Sequence, residues 1–301
     1  ISPTGVVSAT PGPLQVSGRS LPARATGQVQ LFAALDSRVA APPAFNVLNA
    51  AATSNSSTSL PVYDSLGQPH NMQVYFRNTG ANSTWEWYGV VDGGELQGGL
   101  KGTPQIVSRG TMAFTNTGAL AQAVTTQSTV NFVGAAPNQT LSFNFGDAIA
   151  QGGSGLSGSS AAAQSFSVNK LDQDGYAPGV FTQVVINGDG TLNAAYSNGQ
   201  QQAIGRLAIA SFASNEGLHR EGGALWSATH ESGQALLGTA NTGGRGQVVS
   251  GSLELSNVDL TEQFVQMIAL QRGFQANSKT IQASDDNYVT LVQLRDRKSV
   301  V

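Results

Sequence analysis

The sequence has no cysteine and little charge: its 301 residues include 15 basic and 18 acidic side chains, 11% in all, about half the share of roughly 25% usual in globular domains. Without a thiol there is no disulfide framework, no thiolate metal site and no cysteine nucleophile. A formal net charge of −3 offers no basic stripe for neutralising phosphates, so nucleic acid is not an expected partner. Nor does any stretch approach the ~18 to 20 apolar residues that cross a bilayer, and membrane insertion is not expected. The chain opens Ile1-Ser2-Pro3-Thr4-Gly5 with no basic-then-apolar leader, so a secretion signal is either absent or outside the sequence.

What is present is 40% apolar residues and 36 glycines, enough chain for two domains or for one large all-β domain with an appendage. Residues 1 to 27 carry Pro3, Pro11, Pro13 and Pro22 among glycines and read as extended linker or short edge strands. In 28–35, Val29, Leu31, Ala33 and Leu35 recur at the two-residue period of a half-buried strand. Strand follows strand from Thr58. A hairpin is predicted over 59–64 and 71–77, turning at Asp64-Ser65-Leu66-Gly67-Gln68, and another at Asn187-Gly188-Asp189-Gly190. Trp85, Trp87 and Val91 share one face of a further strand, and Val130, Phe132, Leu141, Phe143 and Phe145 repeat the alternation. Short strands separated by turns favour a barrel or sandwich over a parallel α/β sheet. Residues 151–165, rich in Gly, Ser and Ala, are expected to form a mobile loop, and 214–250 long surface loops.

The last forty residues change character. Asp259-Leu260-Thr261-Glu262 has the form of a helix start, with Asp259 accepting backbone N–H groups and Glu262 reaching back. No proline interrupts the sequence from there to Arg295, which predicts a helix of about 36 residues, three times the usual length. Met267, Phe274, Ile281 and Tyr288 are spaced by sevens, and Phe264 and Val292 occupy the companion heptad position, whose middle members Gln271, Ser278 and Asp285 are polar. Such a helix carries a narrow apolar seam and needs a partner, because alone it is marginal in water.

Chemistry-bearing patterns are weak. His70, His219 and His230 lie far apart in turn or loop contexts, and His230-Glu231 lacks the second histidine of a zinc-protease helix. Gly153-Ser154-Gly155-Leu156-Ser157-Gly158 spells the dinucleotide fingerprint but is followed by Ser159-Ser160-Ala161-Ala162 with no β-α-β alternation. Asp172-Gln173-Asp174-Gly175 lacks the further ligands of a calcium loop. No catalytic, cofactor-binding or metal residue is therefore assigned. Trp85, Trp87 and Tyr88 admit two readings, a carbohydrate platform or a β-domain core, and the shared face of the two tryptophans favours the core.

Residues 256–268 (SNVDLTEQFVQMI), 271–277 (QRGFQAN) and 290–295 (TLVQLR) resemble the terminal segment of bacterial flagellar axial proteins, a signature shared by rod and hook proteins. Hook proteins in particular are resembled by 62–67 (VYDSLG) with 72–76 (MQVYF), by 175–179 (GYAPG) with 187–191 (NGDGT), and by 210–218 (ASFASNEGL) with 235–240 (ALLGTA), whereas 100–165 match least. The resemblance implies a mainly β protein of two domains with a long C-terminal helix. Residues 1–44 and 179–255 would form a discontinuous inner β domain, 45–178 an outer barrel or sandwich-like domain, 256–295 the coiled-coil-type helix of a tube core, and 296–301 an unassigned tail.

It further implies a non-enzymatic protomer that polymerises into a curved tube transmitting motor torque from rod to filament. Its partners would be copies of itself, the rod, the hook cap and the hook-filament junction proteins. It would be exported to the cell exterior without a cleaved signal peptide. Phe264, Met267, Phe274, Ile281, Tyr288 and Val292 would be its interaction seam. Family members begin with an N-terminal helix that pairs with the C-terminal one; no such segment precedes Ile1 in the sequence, so it is either absent or outside the sequence. A distal rod protein and a secreted carbohydrate-binding or adhesion module are the competing readings.

Overall fold

The structure, a computed structural model, describes residues 20–81, 83–253 and 258–297, with the side chains of the final helix described through residue 293. Most of the proline-rich opening and the Ser256-Asn257 pair thus lie outside the described residues. The molecule divides after Val248 into two compact units.

Strands make up nearly all the regular structure of the first unit. β1 (Ser20–Leu21) and β2 (Gln28–Asp36) come first. After a 3-10 turn at Val47–Thr53, β3 (Ser56–Tyr63), β4 (Pro69–Asn78), β5 (Thr84–Asp92), β6 (Pro104–Phe114) and β7 (Leu120–Gln127) form a five-stranded antiparallel sheet in sequential order. Four short strands follow, β8 (Thr129–Val130), β9 (Gln139–Thr140), β10 (Ser142–Asn144) and β11 (Ser160–Ala162), then the longer β12 (Ser167–Gln173). The meander β13 (Gly179–Ile186), β14 (Thr191–Tyr196) and β15 (Gln201–Arg206) takes β1 at its β13 edge. Last come β16 (Ala208–Ser211), β17 (His219–Gly222), β18 (Leu225–Ser227) and β19 (Leu236–Thr239), paired as β16 with β19 and β17 with β18.

The alternating residues of β2 face the alternating residues of the five-stranded sheet, giving a sandwich-like core in which Val29, Leu31 and Leu35 meet Leu60, Val74, Phe76, Trp87 and Met112. Trp87 is wholly buried, its ring 4.6 Å from that of Phe143 and 5.0 Å from that of Phe145. Gly110 makes room for it: a Cβ there would lie 2.0 Å from the Val124 carbonyl oxygen and 2.7 Å from Trp87 Nε1. The expected hairpin at 59–77 forms as β3 and β4. Asp64 Oδ1 accepts the Leu66 and Gln68 amides, and Gly67 takes φ +82°, open to glycine at no steric cost. That turn is pressed against both limbs of the fold, since a Cβ on Gly67 would sit 2.7 Å from Ala23 Cβ and from Pro178 Cδ.

Outgoing and returning limbs run antiparallel here. β1 pairs with β13, Arg24 with Tyr176, and β2 with β12. Asp174 ties them: Oδ1 accepts the Gly27 and Gln28 amides at 2.8 Å each and Oδ2 accepts Arg24 Nη2 at 2.7 Å. Burial alone would raise the Asp174 carboxyl, but the two amides and Arg24 outweigh it and hold it below the usual range.

Three expectations are corrected. Residues 151–165 are not a mobile loop. Gly155 N donates to the Asp147 carbonyl, a 3-10 turn spans Ile149–Gln151, and β11 lies parallel to one end of β2 while β10 lies parallel to the other. Between those two short strands the buried Ser159 hydroxyl accepts the Ala33 amide at 3.1 Å and donates to the Leu31 carbonyl at 3.3 Å, completing an edge that no strand covers. The expected surface-loop region 214–250 contains one small antiparallel pairing, β17 with β18, and a further strand, β19, that pairs with β16 just before the region. Finally, the division at residue 44 cuts across hydrogen bonding: β2 draws all its strand partners from 142–173, inside the stretch assigned to the outer domain.

The regular structure of the second unit, among its described residues, is one long helix. α1 (Leu260–Arg297) has 38 residues, about 57 Å at 1.5 Å per residue, and runs two residues beyond the expected end.

Candidate functional site

Asp259 starts α1 as the sequence predicts. Its Oδ1 accepts the Thr261 amide at 2.7 Å and the Glu262 amide at 3.4 Å, and these bonds, the Thr261 amide foremost, lower the Asp259 carboxyl. The Glu262 carboxylate accepts from Gln266 Nε2 at 3.5 Å, one turn on. Within the helix, Thr280 and Thr290 donate to the carbonyls of Ala276 and Asp286, which turns these hydroxyls back on the backbone.

All six predicted seam residues are exposed: Phe264, Met267, Phe274, Ile281, Tyr288 and Val292, with Phe274 at 74% and Ile281 at 70%. At about 100° per residue they fall within one face. Leu260, one heptad before Met267, Leu270 and Val289, also exposed, fall on the same face, and counting by sevens misses Leu270 and Val289 because it follows only two of the seven positions. Val265, Ile268 and Leu291 are exposed on other sides. The apolar surface of α1 is therefore broader than a two-helix seam, and its breadth suits a helix with several neighbours.

No comparable surface exists at the aromatic cluster. Trp85 and Trp87 are 2% and 0% exposed, and Tyr88, on the opposite face of β5, is stacked on Phe45 with ring centroids 3.9 Å apart. Burial, with the bond its hydroxyl donates to Glu86 at 2.9 Å, pushes the Tyr88 phenol up to about 12. With both tryptophans buried and Tyr88 stacked on Phe45, the cluster offers no sugar a platform, and the carbohydrate reading is overturned.

The remaining motifs also have internal uses. His70 lies in β4, contrary to the expected turn or loop context, buried and stacked on Phe132 at 3.8 Å between Glu95 and Asp64 carboxylates at 2.9 and 3.4 Å. His219 lies in β17 and His230 in a turn, both exposed. Among the described residues no group of three or more His, Cys, Asp or Glu is arranged to hold a metal ion. In 153–158 the amides of Gly153, Ser154 and Gly155 donate to Ala148 and Asp147 oxygens, so the loop's donors are occupied and a strand, not a helix, follows. No helix among the described residues is long and apolar enough to cross a membrane.

Residues 34–176 match the flagellar basal body protein FlaE D2 domain, and residues 249–294 match the C-terminal region of the flagellar basal body rod FlgEFG proteins. The flagellar hook protein FlgE of Salmonella typhimurium is 35% identical over 97% of this chain and 69% of its own length. That of Escherichia coli is 38% identical over 80% of this chain and 56% of its own. The crystal structure of Helicobacter pylori flagellar hook protein FlgE2 aligns over 61% of this chain and 39% of its own, at 23% identity and a TM-score of 0.44. With a strand-built first unit, a long helix whose apolar residues are exposed, and a relative 35% identical along nearly the whole length, this chain belongs to the flagellar hook protein family.

Proposed function

We propose that the protein is the repeating unit of a curved tube, the hook, and that its function resides in contacts between copies. The observation that carries this reading is the exposed apolar surface of α1, with Phe264, Met267, Phe274, Ile281, Tyr288 and Val292 at its centre. Fully burying one such side chain is worth about 1.5–3 kcal/mol, so six of them make helix association strongly favourable. In the tube these helices form the inner layer, each packed by helices of neighbouring copies. Growth without closure follows from head-to-tail contacts that do not complete a ring.

The low charge of the sequence supports a bendable outer layer, since few fixed ion pairs break as neighbours slide. The outer layer is the part of the first unit that runs from β2 to β12, and the inner β layer is β1 with β13 to β19. The antiparallel limbs at 20–28 and 173–180 join them. Rod at one end, and cap and hook-filament junction proteins at the other, are the partners of a tube that conveys torque. Export through the flagellar apparatus carries it outside the cell.

A double variant, Phe274→Asp with Ile281→Asp, tests the reading. Cells carrying it should lack hooks while the purified protein keeps the wild-type unfolding transition of its β unit; hooks of normal length would overturn it. Tube curvature in electron micrographs separates a hook subunit from a distal rod subunit, which would give a straight tube.

A further inference from the structure

We propose that Asn187 is a site of spontaneous backbone-assisted deamidation, and that the second Asn-Gly pair of the sequence, Asn198-Gly199, is protected by the fold. The chemistry needs only the residues in place and water. The Gly188 amide nitrogen attacks Cγ of Asn187, a new bond forms between them, the Cγ–Nδ2 bond of Asn187 breaks and ammonia leaves, giving a cyclic imide. Water opens the imide at either carbonyl, leaving aspartate or isoaspartate at position 187. No electrons are gained or lost, and the residue gains one negative charge and about 1 Da.

The two pairs share a sequence but not a setting. Asn187 and Gly188 are both exposed at the tip of the β13–β14 hairpin. The backbone of Asn187 is held, its N–H donating to Thr191 O and its carbonyl accepting from Gly190 N, both at 2.9 Å. Among the described residues, however, neither the Asn187 side-chain amide nor the Gly188 N–H has a hydrogen-bond partner. Electrophile and nucleophile are both free. At the other pair both are engaged: Asn198 Nδ2 donates to the Ala177 carbonyl at 2.7 Å, Asn198 Oδ1 accepts the Gln200 amide at 3.1 Å, and Gly199 N–H donates to the Tyr196 carbonyl at 3.0 Å. Gly179 is packed so closely on that side chain that a Cβ there would lie 2.6 Å from Asn198 Oδ1. Moving Asn198 toward its neighbour's nitrogen breaks three bonds, whereas moving Asn187 breaks none.

The modification matters locally. A new carboxylate two residues from Asp189 adds like charge beside the network in which Asp189 accepts from Thr191 and Arg206. Isoaspartate also inserts a methylene into a four-residue turn whose register is fixed by two backbone bonds.

The test is a time course of the intact purified protein in warm, mildly alkaline buffer, read by peptide mass and by separation of aspartate from isoaspartate peptides. Conversion should accumulate at 187 while 198 stays amidated, and in urea the two sites should convert at equal rates. Gly188→Ala, at a position where a Cβ meets only the Val248 carbonyl at 3.9 Å, should slow conversion at 187 severely without altering unfolding. Conversion at 198 as fast as at 187 in the folded protein, or an undiminished rate in Gly188→Ala, would overturn the proposal.

Discussion

Trp87 and Phe274 are both large aromatics on a periodic apolar stripe, yet the first is wholly buried and the second 74% exposed. The difference lies in what each stripe meets. The period-two stripes of β2 and of β3 to β7 face each other, and one molecule by itself shuts its core between them. The period-seven stripe of α1 finds no cover within its own helix and is exposed. One stripe closes a fold, the other is the surface on which the proposed assembly rests, and substitutions in the two should separate cleanly.

The largest expected effect is on the helix side. Phe274→Asp with Ile281→Asp should abolish tubes altogether, and sedimentation of the purified protein under polymerising conditions should recover none in the pellet. On the strand side, Trp87→Ala should lower the stability of the β unit by about 3–5 kcal/mol, measured by denaturant unfolding. The indole N–H of Trp87 is buried without a partner, so Trp87→Phe should cost distinctly less than Trp87→Ala. Trp226→Ala is the control: that ring is 58% exposed, and the change should stay within about 0.5 kcal/mol.

Ser159→Ala sharpens the comparison at the edge of β2. It removes the hydroxyl that serves Ala33 and Leu31 and should cost about 1–3 kcal/mol, the penalty for stranding buried backbone groups. A smaller effect is expected in acid. Thr191, through its hydroxyl and amide, and then Arg206 hold the Asp189 carboxyl down at about 2. A depressed carboxylate contributes stability that is complete above its unfolded value near 3.8 and is lost as pH falls toward 2. Asp189→Asn should flatten that acid limb in a plot of melting temperature against pH by lowering the neutral plateau, while leaving the acid end nearly unchanged.

Periodicity made much of this legible in the sequence. Alternation identified Val29, Leu31, Trp85, Trp87 and Phe143 as core because strand geometry repeats every two residues whatever the neighbours are. Asp64 and Gly67, and Asp259, declared a turn and a helix start because the chemistry of both is local. What escaped depended on distant contacts. Residues 151–165 look like linker, and only the unpaired stretch of β2 explains why Ser159 is buried there. The parallel pairing of β2 with β10 and β11 joins residues more than a hundred positions apart, which no local pattern encodes. At the candidate site, Leu270 and Val289 were missed because heptad counting sees a seam, whereas α1 presents a wider apolar surface.

Hydrogen exchange across α1, compared between the soluble protein and assembled tubes, tests the central claim most directly. The account predicts that amides of 260–297 exchange rapidly in the soluble protein, as a long helix with no packed face should, and become as slow as those of β5 in tubes. Slow exchange throughout α1 in a soluble protein that does not associate would contradict it.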